Sequence, residues 1–417
     1  MGAPPAPALD LQAIRPQFPA LGLRVDGDPV VYLDNPAGTQ VPQRVIDRTA
    51  EYWRSMNANH GGAFITSQRS DAMVDRARNA AAAFLNASSP DEVIFGANMT
   101  TLTFAVSRAM AREFQPGDEI VVTRLEHDGN VSPWLALEEG GLRVGFVDIQ
   151  VPECILDLAD LERQVNARTR VVAITHASNA VGTIPDLKAV SRIAHGVGAW
   201  LWVDAVHYAP HGLIDVQAID CDFLVCSSYK FYGPHLGLLY GKRELLRRLR
   251  PYKVRPATEE LPGRWETGTQ NHECLAGLYG AFEYLADLGG SQAPERRAFE
   301  RAAARIQAHE RGLAARLIDG LLQLPGVKIY GITDGDLLDQ RAPTVSLTWE
   351  PHRPEALSRW LARHQIFTWY GDHYATVLIE RLGLADRGGT LRIGIAHYNA
   401  ASEIDLLLEV LAGFRGA

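Results

Sequence analysis

The chain has 417 residues and a formal charge of −8, from 41 Lys and Arg against 49 Asp and Glu. Its 47% hydrophobic and 22% charged residues are the balance of a globular protein whose core needs no staples. Nucleic acid and membrane are excluded as main partners, because phosphate surfaces demand clustered cations and no window reaches the roughly 18 apolar residues of a membrane span. The one dense basic run, Lys242 to Arg250, reads as a solvated helix. Four cysteines, none in a C-x-x-C pair, make no disulfide framework and point to a reducing, cytoplasmic setting. The Ala/Pro-rich start, Met1 to Leu11, lacks the parts of a signal peptide.

In chain order, apolar runs predict strands at Glu92–Ala97, Glu119–Thr123, Val144–Ile149, Arg170–Thr175, Trp200–Ala205, Asp222–Ser227 and Gly237–Tyr240. Helices are expected between them at Asp71–Leu85, Thr101–Phe114, Leu187–His195 and Glu244–Leu249. Strands apolar on both faces and separated by helices form a mainly parallel sheet flanked by helices, the α/β class. After about Glu273 the pattern changes. A long helix, Glu295–Leu322, leads to short strands at Val327–Ile332, Thr344–Thr348, Phe367–Tyr370 and Leu391–Ile395, with helices Arg353–His364 and Ala401–Leu411. The expected division is a large α/β domain over 30–285 and a smaller α+β domain from 1–29 and 286–417.

Ligands of such sheets bind beyond the carboxyl ends of the strands, so the residues just after each strand carry the information. They are Asn98-Met99-Thr100-Thr101, Glu126-His127-Asp128-Gly129-Asn130, His176-Ala177-Ser178-Asn179, Asp204 with His207, and Ser227-Ser228-Tyr229-Lys230. A histidine or lysine at one strand end ordinarily caps it or reaches solvent. Five strand ends bearing such groups together point to a site. A lysine among hydroxyls, an upstream carboxylate at Asp204 and hydroxyls opening a helix at Thr100 and Thr101 are the parts of a pyridoxal phosphate site. The lysine amine forms a Schiff base with the cofactor. The carboxylate keeps the pyridine nitrogen protonated, and a ring such as His127 covers its face.

The sequence resembles the class V aminotransferases, and within them the cysteine desulfurase and selenocysteine lyase branch. The likeness runs through Tyr32-Leu33-Asp34-Asn35-Pro36-Ala37-Gly38, the strand-end motifs above, Ser178-Asn179-Ala180-Val181-Gly182-Thr183, Val203-Asp204-Ala205-Val206-His207, Glu266-Thr267-Gly268-Thr269-Gln270-Asn271 and Leu391-Arg392-Ile393-Gly394. It implies fold type I of the pyridoxal phosphate enzymes and a homodimer. Lys230 would carry the Schiff base, Asp204 would face the ring nitrogen, and His127 would stack on the ring as an acid or base. His207 would face the phenolic oxygen, where the desulfurases carry Gln. Thr100, Thr101, Ser227 and Tyr229 would hold the phosphate, and Thr269 would reach the phosphate of the neighbouring subunit. Asn179 and Arg392 match the residues that fix the substrate carboxylate. Ala37, His60 and Tyr374 are the remaining candidates at the substrate side.

Two departures from the family pattern stand out. Tyr229 precedes the lysine where desulfurases have a phosphate-binding His. In Trp369-Tyr370-Gly371-Asp372-His373-Tyr374-Ala375, Tyr374 takes the place of the cysteine that attacks substrate sulfur, and a phenol cannot accept a sulfane sulfur. The expected reaction is therefore C–S bond cleavage by β-elimination, without a catalytic cysteine. Transamination with a keto acid, or racemisation, is the alternative. A non-catalytic interaction protein of this fold is a more distant one. A metal site from Asp204, His207 and His211 is disfavoured by Pro210, and no metal is expected.

Overall fold

The structure is a computed structural model describing residues 8–415. The first seven residues, part of the segment assigned to the smaller domain and of the stretch read as lacking a signal peptide, lie outside it. Seven apolar runs become the strands of the main sheet: β1 (Val93–Gly96), β2 (Glu119–Thr123), β3 (Arg143–Val147), β4 (Thr169–Thr175), β5 (Trp200–Asp204), β6 (Phe223–Ser227) and β7 (Gly237–Gly241). Their order is β1-β7-β6-β5-β4-β2-β3. Only β7 runs against its neighbours, pairing antiparallel with both β6 and β1.

The double-sided apolar character of these strands has a direct structural cause. Successive side chains point to opposite faces, and both faces are covered. Leu201, Val203, Leu224 and Cys226 join one buried cluster with α2 (Ile65–Leu85), α4 (Leu187–Gly196) and α5 (His272–Leu288). Trp202, Phe223 and Val225 join another with α3 (Met99–Ala111). Among the described residues no helix is long and apolar enough to cross a membrane.

A second sheet holds β8 (Val327–Tyr330), β9 (Thr344–Trp349), β10 (Trp369–Gly371) and β11 (Thr390–Gly394) in the order β8-β9-β11-β10. Its core includes Leu357 and Leu361 of α7 (Pro354–Arg363), Leu407 of α8 (Ala401–Ala412) and Leu317 of α6 (Arg296–Leu322). The first half of α6, through Phe299 and Ile306, packs instead in the main core. Val31 and Leu33 also sit in the core of the second sheet.

The single strand expected over Phe367–Tyr370 is two strands. Ile366–Phe367 pairs in parallel with Val31–Tyr32, whereas β10 joins β11. Two different partners divide one aromatic run, which strand propensity alone does not register. One helix absent from the expectation, α1 (Gln43–Ser55), packs closely on α5. A Cβ at Gly280 would come within 2.9 Å of the Arg44 carbonyl oxygen, so glycine there permits the approach.

Gly237, the first residue of β7, lies against the start of α3. A Cβ there would stand 2.5 Å from the carbonyl carbon of Asn98, the residue that caps α3 through its side chain. Gly237→Ala is therefore expected to lower stability by about 1–3 kcal/mol through overpacking against backbone. The measurement is the urea midpoint, and an unchanged midpoint would show that the cap yields freely.

Candidate active site

The polar strand ends converge. A cavity of about 560 Å³ is lined by Thr100 and Thr101 from the start of α3, His127 after β2, Asn179 after β4 and Asp204 and His207 after β5. Ser227, Tyr229 and Lys230 at the end of β6 complete the wall. Nine of the sequence-predicted residues thus share one space. His235 lines it too. It precedes β7, and because that strand runs backwards its beginning lies at the same sheet edge as the ends of the others. It also closes the run Tyr232-Gly233-Pro234-His235 that follows Lys230, so a reading of the residues after β6 reaches it.

The helix opening is built by Asn98, whose side chain accepts from the Thr101 backbone N–H at 2.9 Å. The Thr101 hydroxyl donates to the Asn98 carbonyl at 3.0 Å, and Ser227 Oγ accepts the Met99 N–H at 3.0 Å. Serine and threonine here tie β6 to the start of α3, leaving a helix N-terminus open to an anion. Tyr229 stacks on His235, with ring centroids 4.8 Å apart and 13° between planes. Lys230 Nζ lies 4.9 Å from the centre of the Tyr229 ring.

Lys230 Nζ donates to the carbonyls of Pro36 and Ala37. Burial, then the Arg392 guanidinium, pushes its pKa down to about 7, against the pull of Asp34 and Asp204. Burial raises Asp204 to about 6, although the Val206 N–H at 2.9 Å and Lys230 favour the carboxylate. His127 is depressed to about 4 by burial and then by Lys230, so the ring is neutral. Its Nδ1 accepts the Gly129 N–H at 2.9 Å, which places the ring proton on Nε2. Beneath it, Glu126 fixes the loop by accepting from Thr123, Asn130 and the Thr175 N–H.

The other candidates lie apart from that lining. Arg392 is buried behind it, bound to Asp34 Oδ1 at 3.2 Å and to the Asn179 carbonyl at 3.2 Å. Its Nε and Asn179 Oδ1 are buried with no hydrogen-bond partner. Tyr374 is exposed and stacks on His127, with centroids 5.6 Å apart at 12°. Its loop is tied down by Asn179 Nδ2 to the His373 carbonyl at 2.8 Å and by the Asp128 N–H to the Tyr374 carbonyl at 2.7 Å. His60 and Thr269 are not near the cavity but line a separate cleft with Val254 and Glu266.

The donor set fits pyridoxal phosphate. An amine depressed toward neutrality, a buried carboxylate, a ring that stays uncharged and a hydroxyl-edged helix start are what that cofactor needs at its aldehyde, nitrogen, face and phosphate. The orphaned Arg392 Nε and Asn179 Oδ1 leave polar capacity beside it for a substrate.

Comparison with known proteins agrees. The family model described as aminotransferase class-V matches residues 31–407. A protein named cysteine desulfurase from Pectobacterium carotovorum subsp. carotovorum is 32% identical, covering 96% of this chain and 97% of its own length. Another of that name, from Synechococcus elongatus, is 34% identical over 97% of this chain, which spans only 64% of that relative. Among solved structures, the apo cysteine desulfurase from Thermococcus onnurineus superposes with a TM-score of 0.86 at 28% identity, covering 99% of both chains. The cysteine desulfurase CsdA from Escherichia coli gives 0.83 at 29%, covering 97% of this chain and 98% of that one. The architecture is that of fold type I, mainly parallel and flanked by helices, as the sequence leads one to expect.

The depressed Lys230 pKa has a kinetic consequence. Only the neutral amine attacks an aldehyde, and its fraction grows as pH rises through about 7. The rate of pyridoxal phosphate attachment to the apoprotein is expected to fall about tenfold per unit below that pH and level off above it. Stopped-flow absorbance checks this; a midpoint near 10 would mean an ordinary exposed lysine.

Proposed function

The chain belongs to the aminotransferase class V family, whose members depend on pyridoxal phosphate, and from that premise we propose that it is a lyase cleaving the C–S bond of a cysteine-type amino acid by β-elimination. The observation that carries this reading is the position of Tyr374. It occupies the loop where a persulfide-forming enzyme needs a thiol, and no cysteine lines the cavity. Cys154, Cys221 and Cys226 are buried, and burial pushes each thiol well up. Cys274 lies at the start of α5. The relatives' names supply the sulfur-bearing substrate class, and the missing thiol removes the acceptor.

In this reading Thr100, Ser227, Tyr229 and His235 would bind the phosphate and Asp204 would hold the ring nitrogen, while Thr101, expected to join them, spends its N–H and hydroxyl on Asn98. Lys230 holds the aldehyde carbon. When bound, the cofactor supplies the electron sink that makes the substrate Cα–H acidic. The freed Lys230 amine, depressed toward neutrality, takes that proton at Nζ. Arg392 and Asn179 orient the substrate carboxylate. Arg392 keeps Nε unpaired for it, while Nη2 donates to Asp34 and Nη1 to the Asn179 carbonyl. Tyr374 stands on the solvent side of His127 and donates its hydroxyl proton to the departing sulfur. Thr269 and His60, on their separate cleft, serve the site of a second copy, which makes a homodimer. Exposed Trp53, Phe64, Ile65 and Val254 give apolar surface for that contact.

Two outcomes check the chemistry. Incubation with cysteine, cystine or S-alkyl cysteines should yield pyruvate and ammonia in equal amounts with no protein-bound persulfide. A keto acid that still carries the sulfur substituent, with the cofactor left in its amine form, would instead identify an aminotransferase. Tyr374→Phe should lower kcat by about a hundredfold with stability unchanged. The quaternary reading is checked by light scattering for a dimer and by Thr269→Val, expected to weaken cofactor binding about tenfold; a monomer of full cofactor affinity would refute it.

A further inference from the structure

His207 stands between two cavities. Its ring lines the main one. Behind it lies His211, with ring centroids 5.2 Å apart and planes at 71°. His211 lines a second cavity of about 220 Å³ together with Glu310 and Arg341. Its Nδ1 is 2.9 Å from Glu310 Oε2, and both residues are buried.

His207 is buried, and burial first of all holds its imidazole well below the usual range, so the ring stays neutral. Lys230 and Arg392 oppose a charge on His207 from the main-cavity side. Around Glu310, His309 is a further titratable neighbour, with Tyr232 and the His397 backbone adjoining.

A neutral imidazole carries a single N–H. His207 Nε2 is 3.0 Å from the hydroxyl of Thr344 on β9. Thr344 is fully buried and its hydroxyl has no other hydrogen-bond partner among the described residues. Were Nε2–H the donor, the hydroxyl hydrogen would be stranded in a dry interior. With the hydroxyl donating, that hydrogen is satisfied and only an acceptor lone pair goes unused. The His207 proton then lies on Nδ1.

We propose that Thr344 is a positioning residue that fixes His207 as the Nδ1–H tautomer, so that the ring offers an N–H to the phenolic oxygen of pyridoxal phosphate. Burial beside Lys230 and Arg392 keeps the ring uncharged while it does so. The proposal rests on the reading of His207 as the neighbour of that oxygen. It gives the second sheet a part in the site: β9 sets the protonation pattern of a wall residue contributed by the first.

The test is nitrogen NMR of the holoenzyme labelled in histidine, with His207 assigned through His207→Asn. The wild type should show a protonated Nδ1 and a bare Nε2 on His207 between about pH 6 and 9. Thr344→Val should move the proton to Nε2 or mix the two forms, and Thr344→Ser should restore the wild-type pattern. With Thr344→Val, kcat should fall about tenfold at unchanged KM, and the visible absorbance of the bound cofactor should shift. A wild-type ring charged across this range, or protonated on Nε2, overturns the proposal without any variant having to fold. If the tautomer is as stated but no sulfur substrate yields pyruvate, the positioning stands and the lyase reading falls.

Discussion

The structure depends on keeping one amine dry. Lys230 sits at the end of β6 with its ammonium pushed down to about 7 by burial and by Arg392, while Asp204 and Asp34 draw it the other way. A charge in such a medium is tolerated only where opposite charges and dipoles face it. Each cation near the cavity is answered: Arg392 by Asp34 at 3.2 Å, Lys230 by the Pro36 and Ala37 carbonyls. Both answers come from the segment that also pairs with the second sheet, since Asp34 bridges to Gly394. The stretch from Leu33 to Gly38 therefore couples the two sheets electrostatically as well as by packing.

Sequence made the sheet legible because burial on both faces writes itself as unbroken apolar runs. All seven main strands lie within two residues of their expected bounds. The cavity wall was legible for a related reason: a parallel sheet gathers its strand ends at one edge, so polar residues that follow apolar runs meet in space. What escaped reading depends on pairings across hundreds of positions. Thr344 reaches His207 from 137 positions away, and nothing local in either segment marks the contact. Arg392 carried a motif, but its Asp34 partner, 358 positions off, shows only in the fold.

The phosphate end illustrates how a substitution is absorbed. Tyr229 stands where the family pattern has an imidazole, yet an imidazole is present at that wall: His235 lies parallel to the Tyr229 ring at 4.8 Å. In the proposed reading of this wall, the stacked phenol and imidazole together take the place that one imidazole has in the family pattern.

The loop bearing Tyr374 argues most directly about mechanism. His373 and Tyr374 both have left-handed backbones, with φ of 56° and 54°, a conformation costing about 1–2 kcal/mol for each side-chain-bearing residue. Local strain of this size persists only where surrounding contacts over-determine it. Here they do: Asn179 holds the His373 carbonyl, Asp128 holds the Tyr374 carbonyl, and Asp372 accepts the Tyr374 N–H at 3.0 Å. His373 is itself buried, its Nε2 3.0 Å from the Thr390 hydroxyl. A side chain that ferries sulfur from a deep cavity to an outside acceptor must travel, and a loop held from outside at His373 and Tyr374 and braced from within by Asp372 opposes travel. A side chain that only delivers a proton to a departing group needs no such excursion. The strained and anchored turn suits a stationary acid better than a carrier.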